Sequence, residues 1–461
     1  MASCKVPSII QQSEQKAMPT AYLNQSDSTN MAFSQWRNFF TDQALVNLID
    51  TALKNNQELM ITLQEIEIAK NEVRIKQGQI LPIGGAKAGI GVEKVGRYTS
   101  QGAGDASTEI SPGKEMPDPL TDFGLGLYAN WEVDIWKKLH SAKKAAVARY
   151  LSTVEGKNFV LTGLIAEVAN SYYELLALDS QLELVKQNIE LQKKALEVTK
   201  IQKEASRVTE LAVQKFKAEV LNSQSLEFQL TQQITAAENK INLLLGRYAQ
   251  EIPRSRGNFL NMQYTAVHEG IPSQLLANRP DIKKAEFELT AAKLDVKVAR
   301  AEFYPSLGIS AGLGFQAFKP SYLIKSPESI FYSLIGDLAG PLINKNGIKA
   351  EFNMASARQL QSLYNYQRTI LNAYMEVATE LSNLNNLEKG YALKAEEVAT
   401  LNSATKISND LFMSARADYF EVLMTQRDAL AAKLELVETK KKQLNAIATL
   451  YKELGGGWQT N

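Results

Sequence analysis

The apolar positions of the chain recur at two different periods. From Ser306 to Phe315 the period is two, because Leu307, Ile309, Ala311 and Leu313 alternate with Ser or Gly. This alternation predicts a strand with one apolar face and one small or polar face. The preceding stretch predicts a helix, with Pro280 in its first turn and Asp281 at the positive end of its dipole.

The first part of the chain shows the same order of elements. Helical spacing from Asp42 to about Gly78 predicts one helix, which Pro82 ends. Period-two runs then predict strands around Ala86–Val92 and Phe123–Val133. The intervening stretch from Tyr98 to Leu120, rich in Gly, Ser, Asp and Pro, predicts a long polar loop.

From Trp136 the composition is that of long helices. No proline occurs between Leu120 and Ile252, and Ala, Leu, Glu, Gln and Lys dominate. A weak break before Thr209, a candidate N-cap, divides the stretch into helices of about 68 and 37 residues. The first would be about 100 Å long at 1.5 Å per residue, which predicts coiled-coil packing or a helical tube.

The whole pattern occurs twice. Asn55–Leu59 matches Asn278–Ile282 at an offset of 223 residues, and the same offset carries Pro82 to Pro305. Beyond the loops the offset is 209, as in Leu245-Gly246 and Leu454-Gly455. We therefore predict two copies of helix, strand, loop, strand, long helix, break and helix.

The repeat predicts a division of the chain into five parts. They are an N-terminal arm (1–41), a first repeat (42–252), a connector (253–272), a second repeat (273–454) and a C-terminal tail (455–461).

Four apolar-faced strands per chain predict association of several chains. The smallest membrane barrels have about eight strands, so four cannot close, whereas three chains would supply about twelve. The glycine-rich strand faces would then line a lumen and the apolar faces would meet lipid. The alternative is a half-buried sheet in a soluble α+β protein, which leaves the helices of about 100 Å unexplained.

Composition narrows the functional class. The 51 basic and 50 acidic residues give a net charge of +1, which offers no basic surface for nucleic acid. No apolar run of about 18 residues is available for a transmembrane helix. The 2 histidines and 1 cysteine have no metal-ligand spacing, and the glycine-rich runs lack the phosphate-loop pattern. We therefore predict that the chain is not an enzyme and binds no metal or other cofactor.

The single cysteine follows small residues in Met1-Ala2-Ser3-Cys4. This order resembles the end of a bacterial lipoprotein signal, in which the cysteine is acylated. The alternative is an incidental free thiol in an extended terminus.

Several motifs, in this order on a repeated frame, resemble the TolC-like outer-membrane efflux ducts, specifically their lipoprotein branch. They are Trp131–Trp136, Asn278–Ile282, Ala301–Ser306, Gly340–Ile343 and Leu450–Trp458. The resemblance implies a mainly α fold with a small β part. It implies a homotrimer in which an α-helical barrel continues into a twelve-stranded transmembrane β-barrel, and a lipid on Cys4.

The resemblance also implies partners and sites. The duct would conduct cargo passively across the outer membrane from a periplasmic adaptor and an inner-membrane pump. The adaptor would contact the two helix-to-helix breaks, here Arg207, Val208 and Thr209, and Arg416, Ala417 and Asp418. The rival class is a soluble coiled-coil scaffold, which leaves the alternating strands without a purpose.

The family's periplasmic gate corresponds to Phe420, Glu421, Met424 and Arg427. Family members commonly have an aspartate where this chain has Met424, so a second acidic ring is not expected here. Asp418 and Glu421 also match a capping box, and Phe420 and Met424 match coiled-coil core positions. These local roles remain alternatives to a selectivity ring and an apolar closure.

Overall fold

The computed structural model describes residues 7–8, 19–22, 29–255, 257, 259–263, 268–341, 345–414 and 416–459. The predicted lipidation residue, Cys4, lies outside the described residues, as do most of the predicted N-terminal arm and Leu342 and Ile343 of one motif.

The described chain is mainly helical. Ten α-helices are α1 (Trp36–Phe39), α2 (Gln43–Asn55), α3 (Gln57–Gly78), α4 (Ser100–Ser107), α5 (Lys138–Glu204), α6 (Glu210–Leu244), α7 (Leu275–Asn278), α8 (Pro280–Ala301), α9 (Lys345–Met413) and α10 (Tyr419–Glu453). The strands are β1 (Ile83–Glu93), β2 (Glu109–Ser111), β3 (Lys114–Glu115), β4 (Leu120–Val133), β5 (Ser306–Ala317) and β6 (Ile330–Ala339).

Two expectations about the first repeat need correction. The predicted helix from Asp42 to Gly78 is two helices, because Asn56 is extended between α2 and α3 and its side chain accepts a hydrogen bond from Leu59 N at 3.0 Å. The predicted loop from Tyr98 to Leu120 contains the helix α4 and the hairpin β2–β3. Thr99 starts α4 by accepting a bond from Gly102 N at 3.1 Å.

The long helices have the predicted lengths. Helices α5 and α6 contain 67 and 35 residues, and α9 and α10 contain 69 and 35. At 1.5 Å per residue, α5 and α9 are each about 100 Å long. Among the described residues, no helix is long and apolar enough to cross a membrane.

The four long strands form one antiparallel sheet in the order β1-β4-β5-β6. Leu127 pairs with Ala86 on one side and with Leu313 on the other, and Leu313 pairs in turn with Tyr332. Directly paired residues of antiparallel strands point to the same face. The predicted apolar positions of all four strands therefore lie on one face.

The junction of β4 with α5 uses residues of the Trp131–Trp136 motif. The carboxylate of Asp134 accepts hydrogen bonds from the first amides of α5, Leu139 N at 3.0 Å and His140 N at 2.8 Å. The Trp136 indole donates to Pro305 O at 2.7 Å and stacks on Tyr304 at 4.6 Å between ring centroids. The motifs therefore fix the turn between strand and helix.

Both repeats end with the same close backbone contact. Gly246, after α6, and Gly455, after α10, have positive φ angles of +64° and +90°. A Cβ atom there would lie 2.3 Å from Asn55 O and 2.5 Å from Asn278 O, respectively. Only glycine fits, which explains the repeated Leu-Gly.

The chain divides into two compact units, each assembled from three segments. One contains Glu67–Leu151 and Phe287–Tyr364, and therefore the sheet. The other contains Ser13–Ile66, Ser152–Glu286 and Asn365–Asn461. These units cut across the sequence repeats, and the division by repeats stays a prediction.

The second unit contains a core of aliphatic and aromatic side chains. Leu45, Ile49 and Leu175 are fully buried, and Tyr172 donates to Asp42 at 2.8 Å. Tyr22, from the described part of the N-terminal arm, is buried and stacks on Tyr374.

Ion pairs between side chains attach the described part of the connector to the long helices of this unit. Arg254, with its side chain 2% exposed, forms ion pairs with Asp179 and with Glu238, the latter at 2.5 Å. Burial lowers the pKa of Arg254, but these carboxylates outweigh it and raise the pKa overall.

Candidate functional site

Hydrogen bonds of the same kind end the longest helix of each repeat. Arg207 N donates to Gln202 O at 2.9 Å after α5, and Arg416 N donates to Leu411 O at 2.8 Å after α9. In the first break Ser206 has a left-handed φ of 57°. Its equivalent in the second break, Ala415, lies outside the described residues. The two breaks are thus built alike, as the repeat predicts.

The first break joins α5 to α6 and exposes the predicted contact residues. Arg207 and Thr209 are exposed and Val208 is half-buried. Thr209 holds the predicted N-cap position, although its side chain makes no capping hydrogen bond. Lys203 and Glu210 form an ion pair at 2.5 Å across the break. A polar, charged turn of this kind is suited to contact with another protein.

The second break joins α9 to α10. Arg416 and Asp418 are exposed and Ala417 is half-buried. Asp418 holds the N-cap position of α10, but its side chain makes no capping hydrogen bond, so the capping box is not formed. Glu421 is also exposed. A capping box therefore does not account for the presence of Asp418 and Glu421 at this break.

A buried cluster brings the ends of the four long helices together. Phe216 of α6, Phe412 of α9 and Val422 of α10 form its centre, and Leu196 of α5 packs against it. Sequence analysis missed Val422, which is fully buried. Its signal was available, because Val213 is the equivalent residue at the offset of 209.

This cluster fixes which face of α10 is exposed. Since Val422 points into the cluster, Phe420 and Arg427 remain 58% and 57% exposed. Phe420 is therefore not core within one chain, and Met424 is half-buried. Arg427 forms an ion pair with Asp428 at 3.7 Å on its own helix. The structure thus presents the predicted gate residues on or beside an exposed face.

The two faces of the sheet differ in charge. Lys87 and Gly126 are paired, as are Glu93 and Leu120, which places both charges on the face of Gly124 and Gly126. That face carries all five charged side chains of the four strands: Lys87, Glu93, Asp122, Glu132 and Asp337. We call it the polar face.

The opposite face, which we call the apolar face, carries large hydrophobic side chains that one chain leaves exposed. Ile90 is 77% exposed, Leu313 57%, Leu334 78% and Leu338 71%. Monomeric soluble proteins rarely expose contiguous apolar surface on this scale.

An ionic centre surrounds Arg279, a residue of the Asn278–Ile282 motif. Its guanidinium contacts Asp281 at 2.7 and 2.9 Å, Glu376 at 2.8 Å and the backbone oxygen of Glu453 at 3.1 Å. Burial, with repulsion from Glu380 and Glu376, raises the pKa of Glu453 to about 7. Sequence analysis singled out Arg279 but gave Glu453 no role.

No group of three or more His, Cys, Asp or Glu side chains in the part of the chain that the structure describes could hold a metal ion. His140 contacts Asp134 at 2.5 Å, which places it at the start of α5.

Comparison with known proteins gives the class of this fold. The family model of the outer membrane efflux proteins matches residues 48–247 and 271–456. The chain therefore belongs to the outer membrane efflux protein family.

Three curated relatives match along most of their length. The pyoverdine export outer membrane protein OpmQ of Pseudomonas aeruginosa is 29% identical over 95% of this chain and 91% of its own. The cation efflux system protein CusC of Escherichia coli O6:H1 is 27% identical over 92% and 88%. The probable outer membrane lipoprotein SilC of Salmonella typhimurium is 26% identical over 92% and 88%.

Solved structures share the fold. A crystal structure of CusC has a TM-score of 0.85 and 23% identity, covering 97% of this chain and 99% of the other. The open MtrE outer membrane channel of Neisseria gonorrhoeae has a TM-score of 0.86 and 21% identity, covering 98% of each.

The predicted family, the mainly α fold with a small sheet and the outer-membrane location are thereby confirmed. The chain is the outer-membrane channel component of an efflux system, and a soluble coiled-coil scaffold is not favoured.

Proposed function

We propose that three copies of this chain assemble into a passive duct across the outer membrane. Their twelve strands would close into one β-barrel, and their long helices would form a periplasmic tube. The observation that carries this proposal is the register, which gives the sheet one uncharged apolar face and one face with five charged side chains. An apolar surface facing lipid and a polar one facing a lumen are what a membrane barrel requires.

Closure also has a hydrogen-bonding reason. β1 and β6 each have one neighbour and are the edges of the four-stranded sheet. Unpaired backbone groups at an edge cost several kcal/mol each in lipid, so spanning sheets are closed. Pairing of β6 of one copy with β1 of the next would satisfy both edges.

Exposed apolar side chains on the helices support the same assembly. They include Ile61, Ile68 and Ile75 of α3, Phe228 of α6 and Leu393 of α9, which are 60–75% exposed in one chain. Burial of such residues between copies would contribute roughly 25 cal/mol per Å² of apolar surface.

The breaks after α5 and α9 would meet a periplasmic adaptor protein, which in turn binds an inner-membrane pump. Support comes from the exposed Arg207, Thr209, Arg416 and Asp418, held on a fixed four-helix cluster. Phe420, Met424 and Arg427, with Glu421, would form the gate. One relative is named for the export of pyoverdine and another for the efflux of cations, so similarity to them does not identify the cargo of this duct. We propose that the inner-membrane pump selects the cargo.

A lipid on Cys4 would anchor the N-terminus to the membrane. Support comes from Ala2-Ser3-Cys4 and from the relative SilC, whose name describes a probable outer membrane lipoprotein. Expressed behind its native signal, the wild-type chain should incorporate labelled palmitate, and Cys4→Ser behind a non-lipid signal should not. An unlabelled wild-type chain would remove the anchor.

Fractionation and native mass spectrometry test the duct itself. We expect the protein in the outer-membrane fraction, as a heat-modifiable oligomer with three times the 51.1 kDa protein mass of one chain. Planar bilayers should then show ion-conducting channels. A monomer that dissolves without detergent would contradict the proposal.

A further inference from the structure

An aromatic ring covers glycines on the polar face of the sheet. Phe331 of β6 is paired with Gly314 of β5. A Cβ atom at Gly314 would lie 2.9 Å from Phe331 Cε1, and one at Gly126 would lie 3.2 Å from Phe331 Cζ. The ring lies over both glycines, and the neighbouring backbone is closer still, since the Cβ atom at Gly314 would lie 2.3 Å from Leu125 O.

A second ring lies in the same way on the neighbouring strands. Tyr128 of β4 is paired with Gly85 of β1, and a Cβ atom at Gly85 would lie 2.7 Å from the Tyr128 hydroxyl oxygen. Tyr128 remains 43% exposed and Phe331 is half-buried, so both rings keep surface open to the polar face.

The two rings border one concavity of about 860 Å³, which is also lined by Lys87, Asp122 and Gln316. Gln316 donates its amide to both carboxylate oxygens of Asp122 at 2.9 and 3.0 Å. Such a volume accommodates a drug-sized molecule.

The charge of the polar face favours cations. Its charged residues are four acids, Glu93, Asp122, Glu132 and Asp337, against the single Lys87. Lys138 neutralises Glu132 at 2.5 Å, which leaves an acidic excess on the face. Three copies facing one lumen would add their fields, and rings of acidic residues select cations in channels.

We propose that Phe331, together with Asp122 in the same concavity and the acidic excess of the polar face as a whole, forms a transient binding site for planar organic cations leaving the duct. The inference rests on the proposed function, because the polar face becomes a lumen wall only in the closed barrel. A planar cation stacks on an aromatic face through dispersion and the ring quadrupole, while the acids attract its charge. The ring thus has a role in addition to covering glycine backbone.

Single-channel recording tests the site, with ethidium as the planar cation and pyrenesulfonate as a planar anion. We expect ethidium to interrupt the wild-type current for longer than pyrenesulfonate does. Phe331→Leu, which keeps an apolar cover over the glycines, should shorten the ethidium interruptions about fivefold through loss of the ring. Phe331→Tyr should preserve them.

Tyr332 offers a matched control, because it is the next residue of β6 and lies on the opposite, apolar face with 83% exposure. Tyr332→Leu should leave the interruptions unchanged. Asp122→Asn, at the acid that lines the same concavity, gives a second test that leaves the ring in place, and it should shorten only the ethidium interruptions.

The outcomes separate the inference from the proposed function. Channels that open normally but respond equally to ethidium in the wild type and in Phe331→Leu would overturn the site. Equal interruptions by ethidium and pyrenesulfonate would overturn its preference for cations. Absence of any channel from the wild-type trimer would overturn the duct and the site together.

Discussion

Glu453, the last residue of α10, combines burial with an unsatisfied carboxylate. It is 9% exposed, and its Oε2 atom has no hydrogen-bond partner among the residues that the structure describes. Glu376 and Glu380 repel its charge, and the attraction of Lys452 and Arg279 does not cancel the effect of burial. A carboxyl group in these surroundings holds its proton up to about pH 7.

The direction of the resulting pH dependence follows from the two states. The pKa of Glu453 is about 7 in the folded chain, against 4.5 for an ordinary glutamate side chain. Between these values the unfolded chain ionises and the folded chain does not, so stability falls as the pH rises from about 4.5 to 7. Glu453→Gln removes the penalty and should stabilise the protein at pH 8 by on the order of 1–2 kcal/mol.

Thermal unfolding in detergent at pH 5 and pH 8 measures this effect. The unfolding temperature of Glu453→Gln should exceed that of the wild type at pH 8, and the gain should shrink at pH 5. Glu72→Gln, at an exposed position of α3, is the control and should show no such gain. A gain of equal size at both pH values would contradict protonation of Glu453.

Sequence reasoning predicted some residue positions but not their contacts. Thr209 and Asp418 hold the predicted N-cap positions, yet neither side chain forms the capping bond. The repeated Gly246 and Gly455 were visible as a pattern, but their contacts with Asn55 and Asn278 depend on tertiary packing. A pattern identifies positions that matter, whereas only the fold shows what each one meets.

At the scale of elements, strong periodicity was predictive and weak periodicity was not. The strands β1, β4 and β5, of 11 to 14 residues, were found because their apolar positions alternate, and β6 was predicted from the repeat. Helix α4 was missed because its sequence, SQGAGDAS, contains glycine, serine and no large apolar residue. The break at Asn56 was missed because the apolar spacing continues across it.

The two faces of the sheet predict opposite responses to the same substitution. Leu313→Arg places a charge on the apolar face and should cost about 2–4 kcal/mol near the middle of the bilayer. Gly124→Arg places it on the polar face, where an added Cβ atom meets nothing within 4 Å, and should be tolerated. The amount of heat-modifiable trimer in the outer membrane measures both.

The comparison is informative because both residues lie in adjacent strands of one sheet. Trimer should be depleted in Leu313→Arg and retained in Gly124→Arg. Equal depletion, or equal tolerance, would mean that the faces do not meet lipid and lumen as proposed.

At the scale of the whole molecule, the sequence predicted association because a chain that cannot complete its fold alone shows this in its pattern of strands and helices. In one chain, the four-stranded sheet has two unpaired edges and the helices have exposed apolar side chains. That deficit indicates association. The packing that orients α10, through Val422 against Phe216 and Phe412, joins residues far apart in the chain and could not be predicted from spacing.

The same packing bears on how the duct opens, because it determines which side chains of α10 can contact neighbouring copies. Because Val422 faces the four-helix cluster, the exposed Phe420 and Arg427 are available to neighbouring copies. Phe420 would supply apolar closure, and Arg427 could exchange Asp428 for a carboxylate on an adjacent helix. An exposed ion pair contributes at most about 1 kcal/mol, but three copies act together on one equilibrium.

Phe420→Ala combined with Arg427→Ala should therefore favour the open channel without altering trimer assembly. A loss of about 1 kcal/mol per copy would change the ratio of open to closed channels by about two orders of magnitude. The measurement is the time spent at high conductance in planar bilayers. Phe159→Ala, at an exposed phenylalanine on α5, is the matched control and should gate like the wild type. Wild-type gating of the double variant would place the constriction at other residues of the helical tube.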